Sequence, residues 1–250
     1  MKDFTIVIPV SSKPKDIFLF KNILYPTLQK LECEIVIVSN EPFGTVKDSN
    51  FISEGCMDGW RFQQCIKLDV SKMIKTEWYL CLDSDCFLTG FSSLFYNNKP
   101  KLNIEKTPQM SIGSHAEWWV QASTSLKLPV PSTWCGVTPM FLHTKTVKSM
   151  LKKHSYNKLK HFINIGATEY SLYWTYFCSI HNDYRDYYCS KPLSFGVYDK
   201  SFGEIDSSFA DLTKAFASCK TVPIGLIQST LNYNEKSLAS LLPELWKTVH

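Results

Sequence analysis

Two aspartates one residue apart, Asp83 and Asp85, interrupt an apolar run in "EWYLCLDSDCFL", residues 77–88. Carboxylates are costly to bury unless something pairs with them. Hard divalent cations take oxygen ligands, and one or two carboxylates often hold them while phosphate oxygens and water complete the shell. In an extended loop, side chains at i and i+2 point the same way, so both carboxylates could approach one cation–diphosphate unit. The chemistry to look for is Mn²⁺- or Mg²⁺-assisted work on a phosphorylated substrate. A bare D-x-D is also a common polar turn, so its setting has to decide.

That setting is strand and helix in alternation. "FTIVIPV" (4–10) and "EIVIVSN" (34–40) are short β-branched apolar runs that read as buried strands. Between them, residues 16–31 carry Phe20, Leu24, Leu28 and Leu31 at helical spacing, with Asp16 as the expected cap and Pro26 as an expected kink. A helix is predicted over 60–74, with Phe62, Ile66 and Met73 facing the core and Gln63 and Lys67 together on another face. "WYLCL" (78–82) is a third strand. Continuous apolar strands separated by helices predict a mostly parallel sheet covered on both faces. Ligands of such sheets bind beyond the carboxyl ends of the strands. Pro9–Ser11, Ser39–Asn40 and Asp83–Asp85 all fall at such ends.

The second half is less regular. Residues 126–145 hold strand-like pieces broken by prolines, and helices are predicted over 144–154, 167–180 and near 236–249. No repeat, linker or low-complexity tract divides the 250 residues, so a single α/β domain over 1–250 is expected. Nine cysteines without a C-x-x-C pair support neither a zinc site nor a disulfide framework, and Cys65, Cys81 and Cys178 read as reduced thiols. The first apolar stretch is too short for a signal peptide, and no run approaches 18 apolar residues, so a cytoplasmic protein is expected. A net charge of +4 suits an anionic small substrate and demands no nucleic acid. Lysines cluster from Lys145 to Lys160, where they would suit a solvated basic helix, an anionic glycan or peripheral contact with a membrane surface.

Taken in order, "IVIPV", "IVIVSN", "DGWRFQQCIKL", "WYLCLDSDCFL" and "GATEYSLYWTYF" resemble GT-A fold glycosyltransferases. They are most similar to a glycosyltransferase family of bacteria and large DNA viruses, with G-W-x-x-Q-Q-x-x-K-L before the aspartate motif and (S/T)-E-Y-x-L-Y after it. The resemblance covers about residues 4–180. It implies an α/β/α sandwich with a Rossmann-like sheet, a nucleotide-sugar-binding half over about 1–90 and an acceptor-side half over about 91–250. It implies transfer of a sugar, of hexosyl type, from a nucleotide-sugar donor, with a UDP-sugar favoured, to a hydroxyl of a glycan or glycoconjugate. Mn²⁺ or Mg²⁺ would sit on the diphosphate, with Asp85 the principal ligand and Asp83 reaching the metal or the ribose. Pro9, Val10, Ser39 and Ser84 would line the donor pocket. Gln63, Gln64 and Lys67 would face the donor sugar or phosphate. Glu169, behind the expected helix cap Thr168, would be the base of an inverting transfer. Trp119 and Trp134 are the expected rings for an acceptor sugar, and Trp60 is expected in the core.

Two other functions fit a similar sheet. A sugar nucleotidyltransferase usually carries a Gly-rich phosphate loop after its first strand, and "PVSSKPKD" has no glycine. A non-catalytic nucleotide-sugar or glycan-binding module would keep the same motifs. A nicotinamide dehydrogenase is disfavoured, because the first strand–helix turn lacks G-x-G-x-x-G.

Overall fold

The first strand, β1 (Phe4–Val10), is buried at every position, so both faces of the sheet around it are covered. This holds in the computed structural model of the chain, which describes residues 3–29, 31–39, 59–89, 92–106, 116–136, 138–197 and 222–227. The predicted helix at 250-residue positions 236–249 lies outside them.

After β1 the chain runs through α1 (Pro14–Leu19), a π-helical turn (Phe20–Leu24) and α2 (Tyr25–Leu28). Pro26 has no N–H to give and crowds the carbonyl four residues back. The backbone widens just before it, and the Tyr25 N–H donates to the Phe20 carbonyl. Lys13, not Asp16, occupies the cap position, while the Asp16 carboxylate accepts from the Ser11 hydroxyl. Next come β2 (Glu34–Ser39) and α3 (Gly59–Asp69). The helix predicted over 60–74 tightens into a 3₁₀ turn at Val70–Lys72, and Met73 is exposed instead of facing the core.

Then follow β3 (Trp78–Cys81), β4 (Cys86–Leu88), a small hairpin of β5 (Phe95–Tyr96) and β6 (Lys99–Pro100), and β7 (Ile104–Lys106). The rest comprises α4 (Ala116–Leu126), β8 (Thr133–Cys135), β9 (Met140–His143), α5 (Thr144–His154), α6 (Tyr156–Asn164), α7 (Glu169–Ile180), β10 (Ser194–Val197) and β11 (Ile224–Ile227).

The central sheet has the order β2-β1-β3-β9, with β2, β1 and β3 parallel and β9 antiparallel. The protein is therefore mixed α/β with a mostly parallel sheet. A second sheet, β10-β11-β4, hangs from the exit of β3, where β4 pairs antiparallel with β11. One cluster of buried apolar side chains runs from Phe4 through the strands and α3, α4, α5 and α7 to Leu226. None of the seven described cysteines is in a disulfide, and Cys178 is half-buried where Cys65 and Cys81 are fully so. No helix among the described residues is long and apolar enough to cross a membrane.

Candidate functional site

Three parallel strands end at one edge. Val10 of β1 is level with Ser39 of β2, and Val7 of β1 is level with Cys81 of β3. The Leu82 N–H still donates to the Val7 carbonyl at 3.0 Å, so the chain leaves the sheet only at Asp83. There it does not stay extended. The Cys86 N–H donates to the Asp83 carbonyl at 3.0 Å, closing a tight turn over 83–86. The turn forms because Cys86–Leu88 is itself a strand: the Ile227 N–H reaches the Asp85 carbonyl at 3.2 Å, and the Leu88 N–H donates to the Thr27 hydroxyl at 3.2 Å. Asp83 and Asp85 are half-buried, with Ser84 buried between them. Pro9, Val10 and Ser39 are at the same edge and are all buried, so what they offer a ligand is a floor, not a rim.

Lys67 is not on a solvated face. It is 3% exposed, and its Nζ lies 2.8 Å from Asp83 Oδ1 and 3.0 Å from Glu169 Oε1. The ammonium has three protons to donate. Two carboxylates take it from two sides, and the Tyr170 ring centroid is 5.0 Å away. Burial opposes the charge on Lys67, but Asp83 and then Glu169 outweigh it and hold the amine protonated well above its usual range. Glu169 is also 3% exposed. Burial pushes its carboxyl above the ordinary value, and Lys67 pulls it part of the way back.

Both motif segments meet here. Gln64 and Lys67 are three apart on α3, hence on one face. The Glu169 N–H donates to Gln64 Oε1 at 3.3 Å, and the Glu169 carboxylate accepts from Lys67. Thr168 caps α7 as expected: its hydroxyl accepts from the Ser171 N–H, and the Ser171 hydroxyl accepts from the Thr168 N–H. The Tyr79 hydroxyl donates to the Lys67 carbonyl at 2.9 Å, fixing α3 to β3. Tyr79 and Tyr170 were not among the predicted site residues. Their only signal was proximity to the motifs. Gln63, expected to share the Lys67 face, is half-buried and takes no part in the joint.

The tryptophans are buried and exposed in the opposite sense to the one expected. Trp119 and Trp134 are stacked on each other at 5.3 Å and 21°, each 3% exposed, so neither offers an open face to a sugar. Trp60, expected in the core, is 55% exposed and lies 6.4 Å from Trp118. A cavity of about 520 Å³ opens elsewhere, between Pro129–Thr133 and the end of α7, and no predicted site residue lines it.

Asp83 and Asp85 offer oxygen donors, which suits a hard cation completed by phosphate and water. Among the described residues, no group of three or more His, Cys, Asp or Glu side chains forms a cage for a metal. Two carboxylates would be enough for a cation that arrives with its diphosphate and water.

Fold and site together define an α/β protein with an acidic turn at the carboxyl edge of a mostly parallel sheet. The chain belongs to DUF6492, a family of unknown function, which it matches over residues 4–242. No curated protein matches its sequence. Among solved structures it is similar to a glycosyltransferase involved in the glycosylation of the major capsid of PBCV-1, with 13% identity and a TM-score of 0.49 over 97% of this chain and 99% of that one. It is also similar to the galactosyltransferase LgtC in complex with donor and acceptor sugar analogues, with 9% identity and a TM-score of 0.49 over 98% and 95% of the two chains.

Proposed function

We propose that the protein is a GT-A type glycosyltransferase that moves a sugar from a nucleotide-sugar donor to a hydroxyl acceptor with the help of Mn²⁺ or Mg²⁺. The observation that carries the reading is the acidic turn Asp83–Cys86, set at the strand edge beside the ends of β1 and β2. That edge is where a parallel sheet receives a nucleotide. The buried ends Pro9, Val10 and Ser39 would floor the nucleoside, with a uridine diphosphate sugar the first donor to try. Asp85 and Asp83 would hold the cation, which when bound neutralises charge growing on the leaving diphosphate.

Lys67, expected to face the donor sugar or phosphate, would meet either as an ammonium already paired with two carboxylates. Glu169, expected as the base of an inverting transfer, is a buried carboxylate paired with Lys67. The exposed Trp60, with Trp118 beside it, offers the acceptor side the aromatic surface that Trp119 and Trp134 do not.

The test is thermal unfolding with UDP, GDP and dTDP, with and without Mn²⁺. A ligand at a hundred times its dissociation constant adds about 2.7 kcal/mol. One diphosphate should stabilise the wild type only with Mn²⁺, and Asp85→Asn should abolish that response. Sugar transfer by Asp85→Asn should fall by roughly two to four orders of magnitude, the share of several kcal/mol of charge stabilisation. An undiminished response in EDTA or in Asp85→Asn would remove the cation from the reading.

A further inference from the structure

The Lys67 ammonium is shared, and the sharing bears on the neighbouring turn. Asp83 is the only one of its two partners at the candidate cation site: its side chain is 27% exposed, whereas those of Lys67 and Glu169 are each 4% exposed. A cation and an ammonium compete for one carboxylate, since each gains by Coulomb attraction and each repels the other. Every charge that draws Lys67 toward α7 therefore weakens its hold on Asp83. Glu169 is such a charge, fixed at the first position of a capped helix and tied to α3 through Gln64.

Resting on the reading of the aspartate turn as a cation site, we propose that Glu169 and Lys67 are positioning residues that set its cation affinity. Glu169 competes with Asp83 for the Lys67 ammonium and so weakens its hold on the carboxylate that would take a divalent cation with its diphosphate. Neither residue need touch the substrate. The local charge follows simply. With both carboxylates ionised, Lys67, Asp83 and Glu169 together carry one net negative charge. Neutralising Glu169 leaves none and hands the ammonium to Asp83 alone. Neutralising Lys67 and Glu169 together restores one negative charge and frees Asp83.

This gives opposite signs for two variants that a merely structural joint would move in parallel. Mn²⁺ binding in the presence of saturating UDP, read from the free-ion signal by electron paramagnetic resonance, is the measurement. Glu169→Gln keeps the shape of the side chain and should weaken Mn²⁺ binding by about tenfold or more. Lys67→Met/Glu169→Gln removes both buried charges and should bind Mn²⁺ at least as tightly as the wild type. In an Asp83→Asn background, Glu169→Gln should change Mn²⁺ affinity much less, because the carboxylate it acts on is gone. That pair also answers the question if the double variant does not fold. Unchanged or tighter binding by Glu169→Gln overturns the proposal, as does an equal loss in both variants. A wild type that takes up no Mn²⁺ with any of the three diphosphates overturns the cation reading itself and this proposal with it. Binding by the wild type with the wrong signs in the variants overturns this proposal alone.

Discussion

Helix α7 has an ion pair at each end, and the two could hardly be less alike. At its first residue, Glu169 meets Lys67 at 3.0 Å with both side chains 4% exposed. Just past its last turn, Arg185 meets Asp183 at 2.6 Å with side chains 73% and 34% exposed. The distances are similar, so geometry does not separate them. Water does. An exposed pair exchanges one good solvation for another. A buried pair has already lost its water, so taking one member away strands the other. The rest of α7 and the segment after it also show how the same chain pairs its less exposed polar groups without charge. His181 Nε2 and His143 Nδ1 share the Thr146 hydroxyl at 3.1 and 2.9 Å, and the Tyr173 and Tyr188 hydroxyls meet at 2.6 Å. Of the two ion pairs flanking α7, the buried one is at the end that faces the aspartate turn.

Four substitutions bear on that contrast. Lys67→Ala should have the largest effect, a loss of about 3–5 kcal/mol in urea unfolding, because Asp83 and the buried Glu169 lose their shared cation. A midpoint equal to the wild type would mean that these charges are solvated after all. Thr168→Ala removes the side-chain half of the cap that holds Glu169 in place and should cost about 1 kcal/mol. Its melting temperature should fall while the contacts past the last turn of α7 remain, as NMR of His181 and Tyr188 would report.

The third effect is smaller and depends on pH. Burial holds the His181 imidazole below its usual value. The unfolded chain therefore binds the proton first as pH falls. The stabilising share of neutral His181 is complete above the ordinary histidine range, near pH 6.5, and is lost as pH drops from there through the depressed folded value. His181→Gln should flatten that part of the stability–pH curve, and an unchanged slope would show that His181 titrates normally. Arg185→Ala closes the series. Its melting temperature should match the wild type, since the partner left behind stays in water, and a clear drop would contradict the assignment of value to burial.

Much of the scaffold was legible. Residues 4–10 and 34–40 announced β1 and β2 because strands buried on both faces have no polar alternation to confuse them. The helix predicted over 144–154 is found at Thr144–His154, and Thr168 was placed correctly as the cap of α7. What failed was the environment of single side chains. A lysine within a helical polar stripe looks solvated, and the partners that bury Lys67 lie on β3's exit turn and on α7, the latter 102 residues away. Periodicity reports neighbours along the chain and is silent about those across it. The tight turn at Asp83 was hidden for the same reason, since the strand that pulls Cys86 round is β11. Trp60 shows the limit of composition: a large apolar residue beside a helix start was expected inside and stands outside.

The pairing of β4 with β11 also has a meaning in time. The aspartate turn leaves the ribosome early, but the strand that holds its exit in place is made much later, as in the Thr89–Val222 hydrogen bond that spans 133 residues. Until then β4 carries an unfilled hydrogen-bonding edge, the kind of surface on which nascent chains associate wrongly. Contacts of such long range close slowly. Synthesis therefore delivers the acidic residues well before the strand that completes the geometry of their turn.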